Sequence, residues 1–224
     1  MTLVGQAAAV ARKDLRVQVR SRYGLGAVLP FAGTLLVAFG LSLGPGRSLL
    51  EETAPGLLWL AMLFASVLSF RQAYQIESED GAMEGLLLSP FDRAAIFIGK
   101  AVAVAVELVV LEAVVVLLVA ALFGLSLGKA PAVLVGAFLL GTLGLSAIGS
   151  LFGAFTESPR AREAIFPLLV LPLSTPVLVA GVKATELASA GRAGEAGSWL
   201  GLLVAFDVVF LSVGMIVFGQ LLED

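Results

Sequence analysis

The sequence predicts an all-α integral membrane protein: six transmembrane helices, an N-terminal interfacial amphipathic helix, and a short cytoplasmic coupling helix between spans two and three. Three observations predict it. First, the 224 residues are 59% hydrophobic and 14% charged, with a mean hydropathy of +1.02, against about 45–50% apolar and about 25% charged in soluble domains. One globular core cannot hide that much apolar surface. Second, the apolar runs are long: 101–123 carries only Glu107 and Glu112 as charges and 132–155 carries none, and about 20 such residues cross the hydrocarbon. Third, the runs lack the short alternating pattern of a barrel, and an unpaired backbone group in lipid costs several kcal/mol, so each run must close its hydrogen bonds as a helix.

The whole chain, 1–224, reads as one permease domain. Residues 1–23 come first, where Val4, Ala8, Ala11, Leu15 and Val19 form one helical stripe and Arg12, Lys13, Arg16 and Arg20 form the adjoining face. That pattern suits a helix lying in the membrane interface; a solvated basic segment that merely fixes topology is the alternative. Its charges follow a short Ala-rich stretch and no small-residue cleavage site follows an apolar region, so no cleavable signal peptide is expected. The spans then run from about Gly24 to Leu43, Ala54 to Phe70, Ala101 to Phe123, Ala132 to Phe155, Ala164 to Val182 and Ser198 to Leu222. Pro167, Pro172 and Pro176 in the fifth each remove an amide donor and should kink or locally unwind it.

With both termini on one side, Arg12, Lys13, Arg16, Arg20, Arg22, Arg71, Arg93, Lys100, Arg160 and Arg162 share that side, while Arg47, Lys129, Lys183 and Arg192 face the other. Positive residues stay cytoplasmic, which places both termini in the cytoplasm.

The segment 71–100 is the longest internal polar stretch. Glu77, Glu79, Asp80 and Glu84 surround Gly81, which should break the incoming helix. Met83, Leu86 and Leu87 then fall at i, i+3, i+4 on a short helix ended by Pro90, and Asp92 can cap the helix that follows. Apolar knobs beside acidic side chains suit docking into a groove on another protein; a loop folded on its own bundle or on headgroups is the alternative.

Several chemistries are excluded or weak. There is no cysteine and no histidine, so disulfides, thiolate or imidazole metal sites and histidine acid–base catalysis are absent. No catalytic or metal-ligating set is expected. A phosphate-binding loop needs GxxxxGK[ST], and Gly124–Ala130 (GLSLGKA) is one residue short and lacks the hydroxyl. Dispersed basic residues and a net charge of −3 give nucleic acid little to bind. Haem ligation would fall to Met62, Met83, Met215, Tyr23 or Tyr74, a weak set.

Three intramembrane carboxylates remain: Glu107, Glu112 and Asp207. With no Lys or Arg at matching depth, they should be protonated, hydrogen-bonded to hydroxyls such as Thr142, Ser146, Ser150, Ser174 or Thr175, or open to a wet cavity. Interhelical packing and a transport role are both open for them. Gly40 and Gly44, Gly149 and Gly153, and Gly197 and Gly201 suit close helix contact within the subunit, a homodimer seam being the lesser reading.

The string ESEDGAMEGLLLSP, followed by the pair Gly99-Lys100, resembles the cytoplasmic loop of ABC-2-class permeases. Together with ARKDLRVQVRSR at the start and FPLLVLPLSTPVLVAG near the fifth span, it resembles more narrowly the heme exporter protein B family, over nearly the whole chain. The resemblance implies a non-catalytic subunit of the bacterial inner membrane. It also implies three partners: a separate ABC ATPase, a haem-handling membrane subunit and a small membrane subunit. Haem, where present, would sit on a partner, with no cofactor in this chain. Glu79, Asp80, Gly81, Glu84 and Leu87 would couple the ATPase to the membrane helices. Competing readings are an ABC-2 exporter subunit for lipid, drug or polysaccharide, a proton-coupled secondary carrier using the three carboxylates, and a structural scaffold.

Overall fold

The structure is a computed structural model, and it describes residues 2–21, 24–79, 91–154 and 168–220. Among the described residues every regular element is helical: α1 (Leu3–Ser21), α2 (Gly24–Leu43), α3 (Arg47–Glu79), α4 (Arg93–Phe123), α5 (Pro131–Ala154), α6 (Thr175–Ser189) and α7 (Gly197–Gln220). Among the described residues four stretches are long and apolar enough to cross a membrane, namely Arg47–Phe70, Arg93–Phe123, Pro131–Phe152 and Gly197–Phe218, and α2 adds a shorter apolar stretch, Val28–Leu43. The chain is therefore an all-α membrane protein.

Helices α2, α5 and α7 cover the apolar runs read as the first, fourth and last spans, with nearly the same bounds. The second and third extend further than their apolar runs. α3 begins at Arg47 rather than Ala54 because Arg47 Nε pairs with Glu51 Oε1 at 3.0 Å, one turn on, and so keeps a charged turn helical. It then continues past Phe70 to Glu79. With 33 and 31 residues, α3 and α4 are about 50 and 46 Å long, more than the roughly 30 Å of hydrocarbon.

The fifth expected span is interrupted where its prolines fall. Pro167 lies outside the described residues; 168–173 are helical, Ser174 is a turn, and α6 starts at Thr175. Pro176 occupies the first turn of α6, where its missing N–H is one of the unpaired donors of any helix start. Ser174 stitches the joint, since its N–H and its Oγ both donate to the Val170 carbonyl, at 2.9 and 2.8 Å.

The core runs through α2 to α7 and centres on Trp59 of α3, which is fully buried. Its indole lies against the backbones of Gly141 in α5 and Gly181 in α6, close enough that a β-carbon at either position would overlap the ring. Trp59 Nε1–H donates to Thr185 Oγ1 at 2.9 Å, so the one polar atom of the ring is satisfied. Lipid is as apolar as leucine, so such close approach, with its dispersion contacts and hydrogen bonds, is what holds membrane helices together. The same device recurs where Phe70 meets Gly149 and Phe97 meets Gly214.

Two left-handed glycines mark one end of the bundle. Gly124, with φ +72°, closes α4 beside Glu51, and Gly191, with φ +79°, lies against Lys129. Arg47, Lys129 and Arg192 thus share one end, and α1, Arg93 and Lys100 mark the other.

Candidate functional site

α1 does not stand apart from the bundle; it lies along the first three turns of α4. The sequence around Gly99 makes this possible. A β-carbon there would sit 2.7 Å from the Ala7 carbonyl oxygen and 2.6 Å from Val10 Cβ, so only glycine admits α1 at this distance. Ala7, Val10 and Ala11 are buried in the seam. The next turn adds charge: Lys100, 3% exposed, reaches Asp14 at 3.7 Å, while Lys13 holds the other Asp14 oxygen at 2.8 Å. A buried ammonium without such a carboxylate would be strongly destabilising.

At its start, α4 is capped by Asp92, whose side chain accepts from the Ala94 N–H at 2.8 Å, as its position after Pro90 suggested. The Asp92 N–H in turn donates to Gln6 Oε1 at 2.9 Å. α1 is therefore tied to the first residues after the cytoplasmic segment, and then again at Gly99 and Lys100. On the other flank, α3 (Arg47–Glu79) reaches the start of the same segment.

Of the coupling residues expected from the sequence, Glu79 ends α3, while Asp80, Gly81, Glu84 and Leu87 lie outside the described residues. The interfacial cations separate. Lys13 turns inward to Asp14, Arg12 and Arg16 are exposed, and the Arg20 side chain is outside the described residues. The expected apolar stripe is a second face, not the buried one: Val4 is 75% and Val19 83% exposed, and only Ala11 of that stripe is buried in the protein. Sequence reasoning missed Gln6, Asp14 and the role of Gly99. Asp14 carried a signal, being the one acidic residue within the first fifty.

The three carboxylates do not form one cluster with a shared partner among the described residues. Glu107 is half-buried beside Ser69 of α3. Glu112 is buried, and its Oε2 accepts from Thr142 Oγ1 of α5 at 2.7 Å, one of the hydroxyls anticipated. Asp207 of α7 faces Gly144 of α5, where a β-carbon would lie 2.8 Å from Oδ1. Ser146 and Ser174 spend their hydroxyls on the Leu143 and Val170 carbonyls instead. Among the described residues no three His, Cys, Asp or Glu gather as a metal site. Met62 is buried in the core, and Met215 is exposed on α7.

The Thr142 contact makes Glu112 a link between α4 and α5. Glu112→Gln keeps an oxygen for Thr142 and is expected to leave assembly and transport-linked activity within about twofold. Glu112→Leu removes the acceptor at a cost of about 0.6–2 kcal/mol, and a lower yield of folded protein from detergent extraction checks it. Loss of activity at full yield in Glu112→Gln would instead assign the ionised carboxylate a transport role.

The sequence model of the CcmB protein family matches residues 6–223. Heme exporter protein B of Pseudomonas aeruginosa is 32% identical over 182 residues, covering 80% of each chain. Heme exporter protein B of Rhodobacter capsulatus is 32% identical over 190 residues, covering 84% of this chain and 85% of that one. That of Bradyrhizobium diazoefficiens is 30% identical over 208 residues and 92% of each.

Proposed function

This chain belongs to the CcmB protein family, and from that premise we propose that it is the membrane permease subunit of a haem exporter serving cytochrome c maturation. It is a multi-pass membrane protein without catalysis of its own; a separate ABC ATPase supplies the energy. It crosses the bacterial inner membrane six times with both termini in the cytoplasm, a reading supported by the positive-inside bias and by the gathering of α1, Arg93 and Lys100 at one end of the bundle. α1 lies in the cytoplasmic interface. A haem-handling membrane subunit and a small membrane subunit complete the complex, and haem is ligated there rather than on the weak Met and Tyr set of this chain.

The observation that carries the coupling mechanism is the extension of α3 beyond its apolar stretch. From Arg71 to Glu79 it projects about 13 Å. Glu79, Asp80, Gly81, Glu84 and Leu87 follow from that projecting end and lead within a few residues to the Asp92 cap of α4. A push on this segment acts on α3 and α4 together. It acts on α1 as well, because Gln6, Gly99 and Lys100 bind α1 to α4. The pair Gly99-Lys100 thus gains a physical role in making α1 part of the moving unit.

Co-purification with the ATPase tests the assignment. Asp80→Ala with Glu84→Ala is expected to reduce recovered ATPase at least tenfold while membrane levels of this chain stay unchanged. Retained binding in the double variant would remove these residues from the interface.

A further inference from the structure

Outside the coupling elements, the groove between α1 and α4 carries chemistry that the exporter reading does not use. It is an open groove of about 950 Å³, lined by Ala8, Arg12, Leu15, Arg16, Val19 and Val102 among others. Its floor is apolar and runs onto the outward face of α4, where Val102, Val106, Val109 and Val110 are exposed. Arg12 and Arg16 stand one turn apart on its rim. Like charges at i, i+4 repel on a helix, and no ion pair to either is present among the described residues, whereas neighbouring Lys13 and Lys100 both converge on Asp14. Two adjacent guanidinium groups over an apolar trough match a ligand with an anionic head and an aliphatic body.

We infer that this groove is a binding site for an anionic phospholipid of the surrounding membrane, its phosphate between Arg12 and Arg16 and its acyl chain along Leu15, Val19 and Val102. Three features favour lipid over a protein occupant. The trough is continuous with the lipid-facing side of a membrane-crossing helix. Its apolar rim residue Val19 is 83% exposed, a poor arrangement in water and an ordinary one against acyl chains. Its charge is of the sign that cytoplasmic-leaflet lipids attract. The inference rests on α1 lying at the interface and not on the exporter assignment. A bound lipid would also brace α1 against α4 alongside the seam.

Native mass spectrometry of the full chain, extracted with whatever subunits accompany it and exchanged into nanodiscs of mixed phosphatidylglycerol and phosphatidylcholine, tests it. Wild-type protein is expected to retain phosphatidylglycerol in preference to phosphatidylcholine. Arg12→Gln with Arg16→Gln should lower that preference by roughly thirtyfold, from two basic side chains near an anionic headgroup. Arg12→Lys with Arg16→Lys should keep most of it, and Arg47→Gln with Arg192→Gln, at the opposite end of the bundle, should keep all of it. Equal retention of both lipids by wild type, or unchanged preference in the glutamine pair, would overturn the site. A fluorophore on Val19→Cys in the same samples separates the two ideas. Emission from an apolar setting without lipid preference removes the site alone, whereas emission from water removes the interfacial placement of α1 as well.

Discussion

Gly181→Leu is expected to leave almost no folded protein in the membrane. The backbone of α6 approaches the Trp59 indole so closely at this position that even one added carbon overlaps it. The ring has little room to step aside, because Gly141 of α5 approaches it just as closely and Thr185 holds its Nε1–H at 2.9 Å. Overpacking typically costs about 1–3 kcal/mol, and at a fully buried hub joining α3, α5 and α6 the cost should exceed that range. With native stability of only about 5–15 kcal/mol, most of the chain should fail to accumulate. Trp59→Ala in the same chain removes the obstruction, so Gly181→Leu with Trp59→Ala should recover a measurable share of the monodisperse peak on size exclusion. Gly40→Ala provides the contrast: the added β-carbon would find the Phe123 ring at 3.5 Å, ordinary contact distance, and yield should not change. Wild-type levels of Gly181→Leu would mean that the three helices do not meet at Trp59.

The second large effect falls on function rather than on folding. Gly99→Leu drives a side chain into the Ala7 carbonyl and Val10, and α1 must lift from α4. α1 contacts chiefly α4, so the bundle around Trp59 should survive and the chain should still insert. The link from the Asp92 cap to Gln6 and from Lys100 to Asp14 would be lost with the seam. Cytochrome c maturation in cells carrying Gly99→Leu is therefore expected to fall at least tenfold at near-normal membrane levels, with ATPase still recruited. Normal maturation would show that α1 does not travel with α4.

The span pattern was legible in the sequence because lipid imposes it. A helix in hydrocarbon must be apolar all round, so α2, α5 and α7 could be bounded from composition alone. Helix ends in water follow capping rules, and Asp92 was readable for that reason. What lipid hides is which face of an apolar helix meets protein, since both faces look alike. Trp59 was invisible as a hub for this reason, and the glycines that matter most, Gly141, Gly181 and Gly214, do not stand in the GxxxG pairs that drew notice. Of those pairs, Gly149 does meet Phe70 and Gly40 lies beside Phe123, whereas a β-carbon at Gly197 or Gly201 would meet no other element within 4 Å. On α1, the stripe Val4, Ala8, Ala11, Leu15 and Val19 is outward except at Ala11, and the rest of the protein-facing seam, Ala7, Val10 and Asp14, was not legible. Small residues, not large apolar ones, mark where membrane helices touch. At the coupling segment the acidic and apolar pattern was readable, and its attachment to α1 through Gln6 and Gly99 was not, because it joins residues some ninety positions apart.

Coupling requires the segment after α3 to face the cytoplasm and to meet a partner there. The chain contains no cysteine, so Leu87→Cys would carry the sole thiol, and a membrane-impermeant maleimide can be applied to inside-out and right-side-out vesicles. Labelling is expected from the cytoplasmic side alone and should fall severalfold when the ATPase is co-expressed. Labelling from the periplasmic side, or labelling indifferent to the ATPase, would contradict the coupling mechanism.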